Sequence, residues 1–375
     1  MEMKSQKALP SCGAGECGTD CREVIGYARS FCGPASCHMQ ELMIEDYCRR
    51  KQMTCSGIYC DYGGHDRTGN EWTRAEKIGI SSSRWLTTFP AWEEMLLHIL
   101  DGKVRCLLVE SLFRLMSSKE QNEAFMRICR EQKVEVIEVM PDTDGNPGNN
   151  RVGIYHFTDG SETRPRVVCS EVDRLYELIG EKGWGIPALF LDKSLRKDRR
   201  GRYRDFLLQV EASPFDIILV HSFYHLEAKV SAFWKVVQSL SSRGTRVVSK
   251  MEGEIMALPE GVLERELNVA VYDRCRSEAE CEYMGLFQER ARLFTYYKAP
   301  RWNIRGVYVD SSEMEETALE RLKGEADMYD LVLVDMLGKV SSRTNRFMKA
   351  WKEIDRPFYS LKEGGVYYKE ESSLL

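Results

Sequence analysis

The chain has 375 residues, of which 43% are hydrophobic and 30% charged, and its formal net charge is −5. Such a composition belongs to folded protein rather than disorder, and the charge does not suggest a chain built for bulk binding to phosphate backbones; any nucleic-acid contact would have to come from a local basic patch. No apolar run reaches the ~20 residues of a membrane helix, and Met1–Lys7 lacks the apolar core of a signal peptide, so a cytoplasmic location with no membrane partner is expected.

Residues 1–22 read as a Gly- and Cys-rich tail. Cys12, Cys17 and Cys21 lack the paired knuckle of zinc modules, and the histidines show no ligand spacing, so neither metal nor cofactor is expected. Val24–Tyr27 then predicts a first strand and Gly57–Asp61 a second, ending in an acid. Val104–Leu115 is an apolar run with a polar tip, as in a buried parallel strand. A helix containing Phe125–Ile128 and a strand at Val134–Ile137 close this first set. The stretch from Tyr62 to Phe89 is rich in Gly, Arg, Thr and Ser. It predicts a long loop on the strand C-terminal side, where open α/β sheets bind ligands. Pro141–Asn150 has linker composition.

The same order returns twice. Val152–Tyr155 and Val269–Tyr272 repeat the first strand, while Ala188–Asp192 and Gly306–Asp310 repeat the second. Phe215–Leu226 and Tyr329–Val340 repeat the central run, and the helices at Phe233 and Phe347 follow at the position of Phe125. Thr245–Val248 and Arg356–Tyr359 close the sets. The period of about 110 residues suits tandem domains, not a solenoid. The expected fold is therefore α/β in three tandem domains, at 23–141, 151–257 and 268–365, each a mainly parallel sheet flanked by helices. A helical stretch around Leu258–Leu267 is expected between the last two.

The first domain carries Tyr27-Ala-Arg29, Gln40, Tyr59-Cys-Asp61, Phe89-Pro90 and the run Leu107–Leu115 with Arg114. In these residues it resembles the catalytic domain of serine recombinases of the resolvase/invertase type, whose first motif is Tyr-x-Arg-x-Ser with a Gln eleven residues after the Arg. The resemblance implies a resolvase-like fold, DNA as partner, and chemistry in which a serine attacks a phosphodiester while arginines stabilise the charge on phosphorus. It places Arg29, Arg114 and Gln40 in the site. The nucleophile position, however, is Phe31, and a phenyl ring attacks nothing; Ser30 stands one residue early, where a slip along a strand turns the side chain to the opposite face. Phe113 and Ser117 stand where the family has an acid and a further arginine. The other two copies keep chiefly the sheet pattern.

Lys193 to Arg204 is a basic run containing Arg196, Lys197, Arg199, Arg200, Arg202, Tyr203 and Arg204. It reads as a phosphate-backbone contact with Tyr203 available to stack on a base, or as a solvated loop opening a helix. Asp61, Asp192 and Asp310 recur at one strand end, where an acid binds a cation or caps the next helix. The functional expectation is a catalytically impaired recombinase-like protein that binds DNA or pairs with an active recombinase or with itself, as regulator or scaffold. The alternatives are an active recombinase with a displaced nucleophile, and an interaction scaffold without DNA binding.

Overall fold

The computed structural model describes residues 23–62, 90–115, 119–139, 150–157, 165–192, 201–212, 215–259, 261–275, 284–311 and 317–369. The Cys12, Cys17 and Cys21 tail, most of the loop predicted before Phe89, most of the linker, and Arg196, Lys197, Arg199 and Arg200 lie outside these residues. The chain divides into two compact units, one of residues 1–153 with 157–209, the other of residues 154–156 with 210–375.

The first unit opens with β1 (Glu23–Ser30), α1 (Pro34–Lys51), β2 (Gly57–Tyr62), α2 (Pro90–Leu100), β3 (Val104–Val109), a 3-10 turn at Leu112–Arg114, α3 (Lys119–Glu131) and β4 (Glu135–Glu138). These strands form an all-parallel sheet in the order β2-β1-β3-β4. Pro34 starts α1, where its missing N–H has no helical partner to lose. On α2 the residues Trp92, Met95, Leu96 and Ile99 recur at helical spacing and meet Tyr27, Phe125 and the inward side chains of β3 in one core. The unit also contains α4 (Pro165–Lys182), β6 (Ala188–Asp192) and, as far as Gln209, α5 (Gly201–Ala212). Helix α4 packs against α1.

The second unit takes Ile154–His156 from β5 (Val152–Phe157). It continues with β7 (Ile217–Val220), a 3-10 turn at Phe223–His225, α6 (Val230–Ser241), β8 (Arg246–Ser249) and β9 (Gly253–Ala257). Then come β10 (Leu267–Arg274), α7 (Met284–Tyr297), β11 (Trp302–Asp310), α8 (Thr317–Gly324) and β12 (Leu331–Val334). A 3-10 turn at Leu337–Lys339, α9 (Thr344–Ile354), β13 (Phe358–Ser360) and β14 (Gly364–Lys369) finish it. The strand order is β11-β10-β12-β13-β14-β9-β8-β7-β5. The set β11-β10-β12-β13 is parallel and repeats the order of the first unit's sheet.

Two features depart from expectation. Strands β9 and β14 are additional, and their pairings with β8, with β13 and with each other are antiparallel, so this sheet is mixed. Both arise from the same turn, Ser249-Lys-Met-Glu-Gly253 and Ser360-Leu-Lys-Glu-Gly364. In each, the serine Oγ accepts two backbone N–H groups, from Met251 and Glu252 at 3.2 Å and from Lys362 and Glu363 at 3.2 and 3.1 Å. The glycine that follows has φ 89° or 86°, a region that side chains disfavour. The predicted helical link at Leu258–Leu267 is instead a 3-10 turn at Val262–Glu264, with β10 starting at Leu267. The loops before α6 and α9 exchange equivalent bonds: Val230 N–H donates to Ser342 O at 3.1 Å and Thr344 N–H to Ala228 O at 2.9 Å. Phe125, Phe233 and Phe347 are all fully buried, as their alignment implied.

Candidate functional site

The end of β1 is held by α1. Gln40, fully buried, accepts the Arg29 N–H through Oε1 at 2.9 Å and donates Nε2–H to Arg29 O at 2.8 Å. Its amide thus fixes the backbone from which the Arg29 side chain leaves. That side chain is 1% exposed, donates Nη1–H to Arg114 O at 3.3 Å, and lies 4.5 Å from the centre of the Phe31 ring, a cation–π distance. Burial lowers its pKa from the usual arginine value.

Arg114, in the 3-10 turn after β3, is also 1% exposed. Its Nε–H donates to Glu110 at 2.8 Å and its Nη1–H to Asp173 at 2.6 Å. Burial alone would lower its pKa, but the carboxylates of Asp173 and Glu110 outweigh that and raise it well above the usual value. Glu110 is held from its other side by the Tyr176 hydroxyl at 2.7 Å. Asp173, on α4 and fully buried, is the centre of the cluster. Oδ1 accepts from Arg114 and from the Ser36 hydroxyl at 2.6 Å. Oδ2 accepts from Phe31 N–H at 2.7 Å and from the Ser30 hydroxyl at 3.2 Å.

Ser30, fully buried, also accepts the N–H groups of Cys32 at 3.1 Å and Gly33 at 3.0 Å, so its hydroxyl shapes the turn into α1. Arg29, Arg114 and Ser30 therefore gather at one place, and Gln40 supports it from behind. Four participants escaped the sequence reading: Glu110, Ser36, Asp173 and Tyr176. Glu110 stands four residues before Arg114, a readable spacing; Asp173 comes from a helix distant in the chain.

Asp61, Asp192 and Asp310 take up backbone N–H groups near the start of the following helix. Asp61 accepts from Ala91 at 3.1 Å, Trp92 at 2.8 Å and the Tyr27 hydroxyl at 3.0 Å. Asp310 accepts from Ala318 at 2.8 Å, Leu319 at 3.2 Å and the Tyr272 hydroxyl at 2.9 Å. Asp192 accepts from Tyr203 at 2.7 Å. Of the basic run, Arg202, Tyr203 and Arg204 lie on α5; Arg204 is exposed, and the half-buried Tyr203 ring stacks on Phe206 at 6.0 Å. In the second unit the rings of His156 and His225 meet edge-on at 4.3 Å.

Burial pushes the thiols of Cys37, Cys129 and Cys169 from 9.0 up to about 12. A thiol raised in the folded state keeps a proton that the unfolded chain releases. Its stabilising contribution is complete below pH 9 and is lost as pH climbs towards 12. Urea unfolding should therefore show a lower midpoint near pH 11 than near pH 8, with a slope of up to about 1.4 kcal/mol per pH unit per thiol. Alanine at all three positions should reduce that slope without abolishing it, because burial also pushes Cys48 and Cys106 up to about 11; an unchanged slope would contradict the assignment.

No protein-family model matches the chain, and no curated protein does. Solved structures similar to it include the C-terminal catalytic domain of ISC1926 TnpA, an IS607-like serine recombinase, at 12% identity over 33% of this chain and 71% of that one, with a TM-score of 0.24. Another is the N-terminal catalytic domain of TP901-1 integrase, at 25% identity over 26% and 78%, with a TM-score of 0.21. A third is a resolvase family site-specific recombinase from Streptococcus pneumoniae, at 17% identity over 28% and 79%, with a TM-score of 0.24. The likeness is weak and spans about a third of the chain. No described helix is long and apolar enough to cross a membrane.

Proposed function

We propose that this chain is a recombinase-like protein of three tandem α/β copies that does not cleave DNA, and that it acts as a regulator or scaffold by binding DNA or an active recombinase. The observation that carries the reading is the condition of Arg29 and Arg114. Both are 1% exposed, and Arg114 already holds two carboxylates. A phosphodiester could reach them only by displacing α4. Phe31 occupies the nucleophile position of the resemblance, and Ser30 donates to Asp173 instead of facing solvent.

Three copies are supported by the succession strand, helix, strand, helix, strand, 3-10 turn, helix, strand, which occurs twice in chain order and a third time with one added 3-10 turn, Ala326–Met328, before the central strand. The equivalent bonds of Asp61 to Tyr27 and Asp310 to Tyr272 add to this. DNA contact is assigned to the basic run ending in Arg202, Tyr203 and Arg204, and is expected to be weak and salt-sensitive.

Purified chain should leave supercoiled plasmid intact and form no covalent adduct on a DNA half-site. Nicking that disappears in Ser30→Ala would sink the non-cleaving reading. A gel shift that weakens with added salt supports the DNA-bound role; no shift even at low salt favours an interaction scaffold without DNA binding.

A further inference from the structure

Four donors from three segments converge on the single carboxylate of Asp173: Arg114 Nη1, the Ser30 and Ser36 hydroxyls, and the Phe31 N–H. All three side chains are at least nine-tenths buried. A second guanidinium borders them, since Arg29 Nη1 reaches Arg114 O. Arg114 Nη2 is buried and has no hydrogen-bond partner among the described residues. A buried cationic fork, two buried hydroxyls and a part-buried backbone N–H are the donor set of an oxyanion receptor, and charge-assisted bonds of this kind are strong where the local dielectric is low. Four donors fill the acceptor sites of one carboxylate.

We propose that Asp173 is the resident ligand of an oxyanion pocket: α4 shuts the pocket by supplying its own carboxylate, and the emptied pocket takes a small free oxyanion in its place. Tethering gives Asp173 an effective concentration that a dissolved competitor cannot match, so the wild-type pocket ignores anions in solution. The pocket is self-occupied whether or not the chain touches DNA, so nicking and pocket filling are separate readouts.

The test uses the full chain carrying Asp173→Ala, melted in sodium formate, in inorganic phosphate, and in chloride of matched ionic strength. Formate or phosphate should raise its midpoint by about 3–6 °C over chloride at roughly ten times the dissociation constant. The wild type and Asp173→Asn, whose amide still fills the space, should follow chloride. A response to formate alone identifies a carboxylate-sized pocket, and a response to phosphate identifies a tetrahedral anion; either supports the proposal. Adding Arg114→Met should abolish the shift. A shift that persists in the double variant, or an Asp173→Ala midpoint that tracks chloride in both anions, overturns it. Should Asp173→Ala be unfolded in chloride, recovery of a cooperative melt in formate supports the pocket, and failure to recover in every anion overturns it.

Discussion

Replacing Arg114 by methionine should destabilise the first unit by about 3–5 kcal/mol, the range found when one member of a buried ion pair is removed. Methionine keeps most of the apolar stem, so little of the loss comes from a cavity. What remains is two buried carboxylates, Glu110 and Asp173, whose shared cation is gone. Tyr176 still donates to Glu110, and Ser30, Ser36 and Phe31 N–H still donate to Asp173, so neither is orphaned as a hydrogen-bond acceptor. The charge is what loses its partner, and a charge held away from water without one is the expensive case. Urea unfolding reads the loss directly. A change below about 1 kcal/mol would place the pair with surface ion pairs, whose worth is that small.

The second large effect is expected at Trp351. This residue is fully buried on α9, on a face with Phe347, Met348, Ala350 and Ile354. Its ring meets Phe347 at 5.2 Å and Phe358 at 5.7 Å, and its indole N–H donates to Arg356 O at 3.0 Å. Trp351→Ala removes the largest of the fully buried side chains among the described residues and leaves the Arg356 carbonyl without that donor. The expected loss is about 3–5 kcal/mol, read as a lower unfolding midpoint. Phenylalanine at the same position should recover most of the packing but not the hydrogen bond, and should lie between alanine and wild type. Equal stabilities for the two variants would mean that packing at this face matters little.

Much of the fold was legible because buried parallel strands leave a plain trace. The runs at Val104, Phe215 and Tyr329 are continuous apolar segments with polar tips, and each proved to contain a buried strand followed by a 3-10 turn. The phenylalanines at 125, 233 and 347 marked the core sides of three helices. The antiparallel strands β9 and β14 were not legible. They are short, they follow a strand that already closes its set, and their pairing is decided by partners about 110 residues away. The repeated Ser-x-x-Glu-Gly turn was the one local sign of them, and it reads as a loop unless the two copies are compared.

The candidate site divides in the same way. Arg29, Arg114, Ser30 and Gln40 could be found because their spacing along the chain carries the resemblance. Asp173 could not, because its meaning comes from tertiary packing: it lies 143 residues from the serine whose hydroxyl it accepts. On α4 it sits among Val168, Val172, Leu175 and Ile179, all buried. In sequence that is an acid on the shoulder of an apolar face, a common arrangement on solvated helices. The cap role of Asp61 and Asp310 was one of two readings of a recurring acid, and the N–H groups of the following helix decide between them.

The claim on which the rest depends is that the Asp173 carboxylate, rather than a solvent-derived or substrate anion, satisfies Arg114. A double-mutant cycle measures it: urea unfolding of the full chain, of Arg114→Met, of Asp173→Leu and of the chain carrying both. The expected coupling energy is about 2–3 kcal/mol, with the double variant less damaged than the two single losses together. Losses that add to within about 0.5 kcal/mol would mean that the two side chains are independent, and would contradict it.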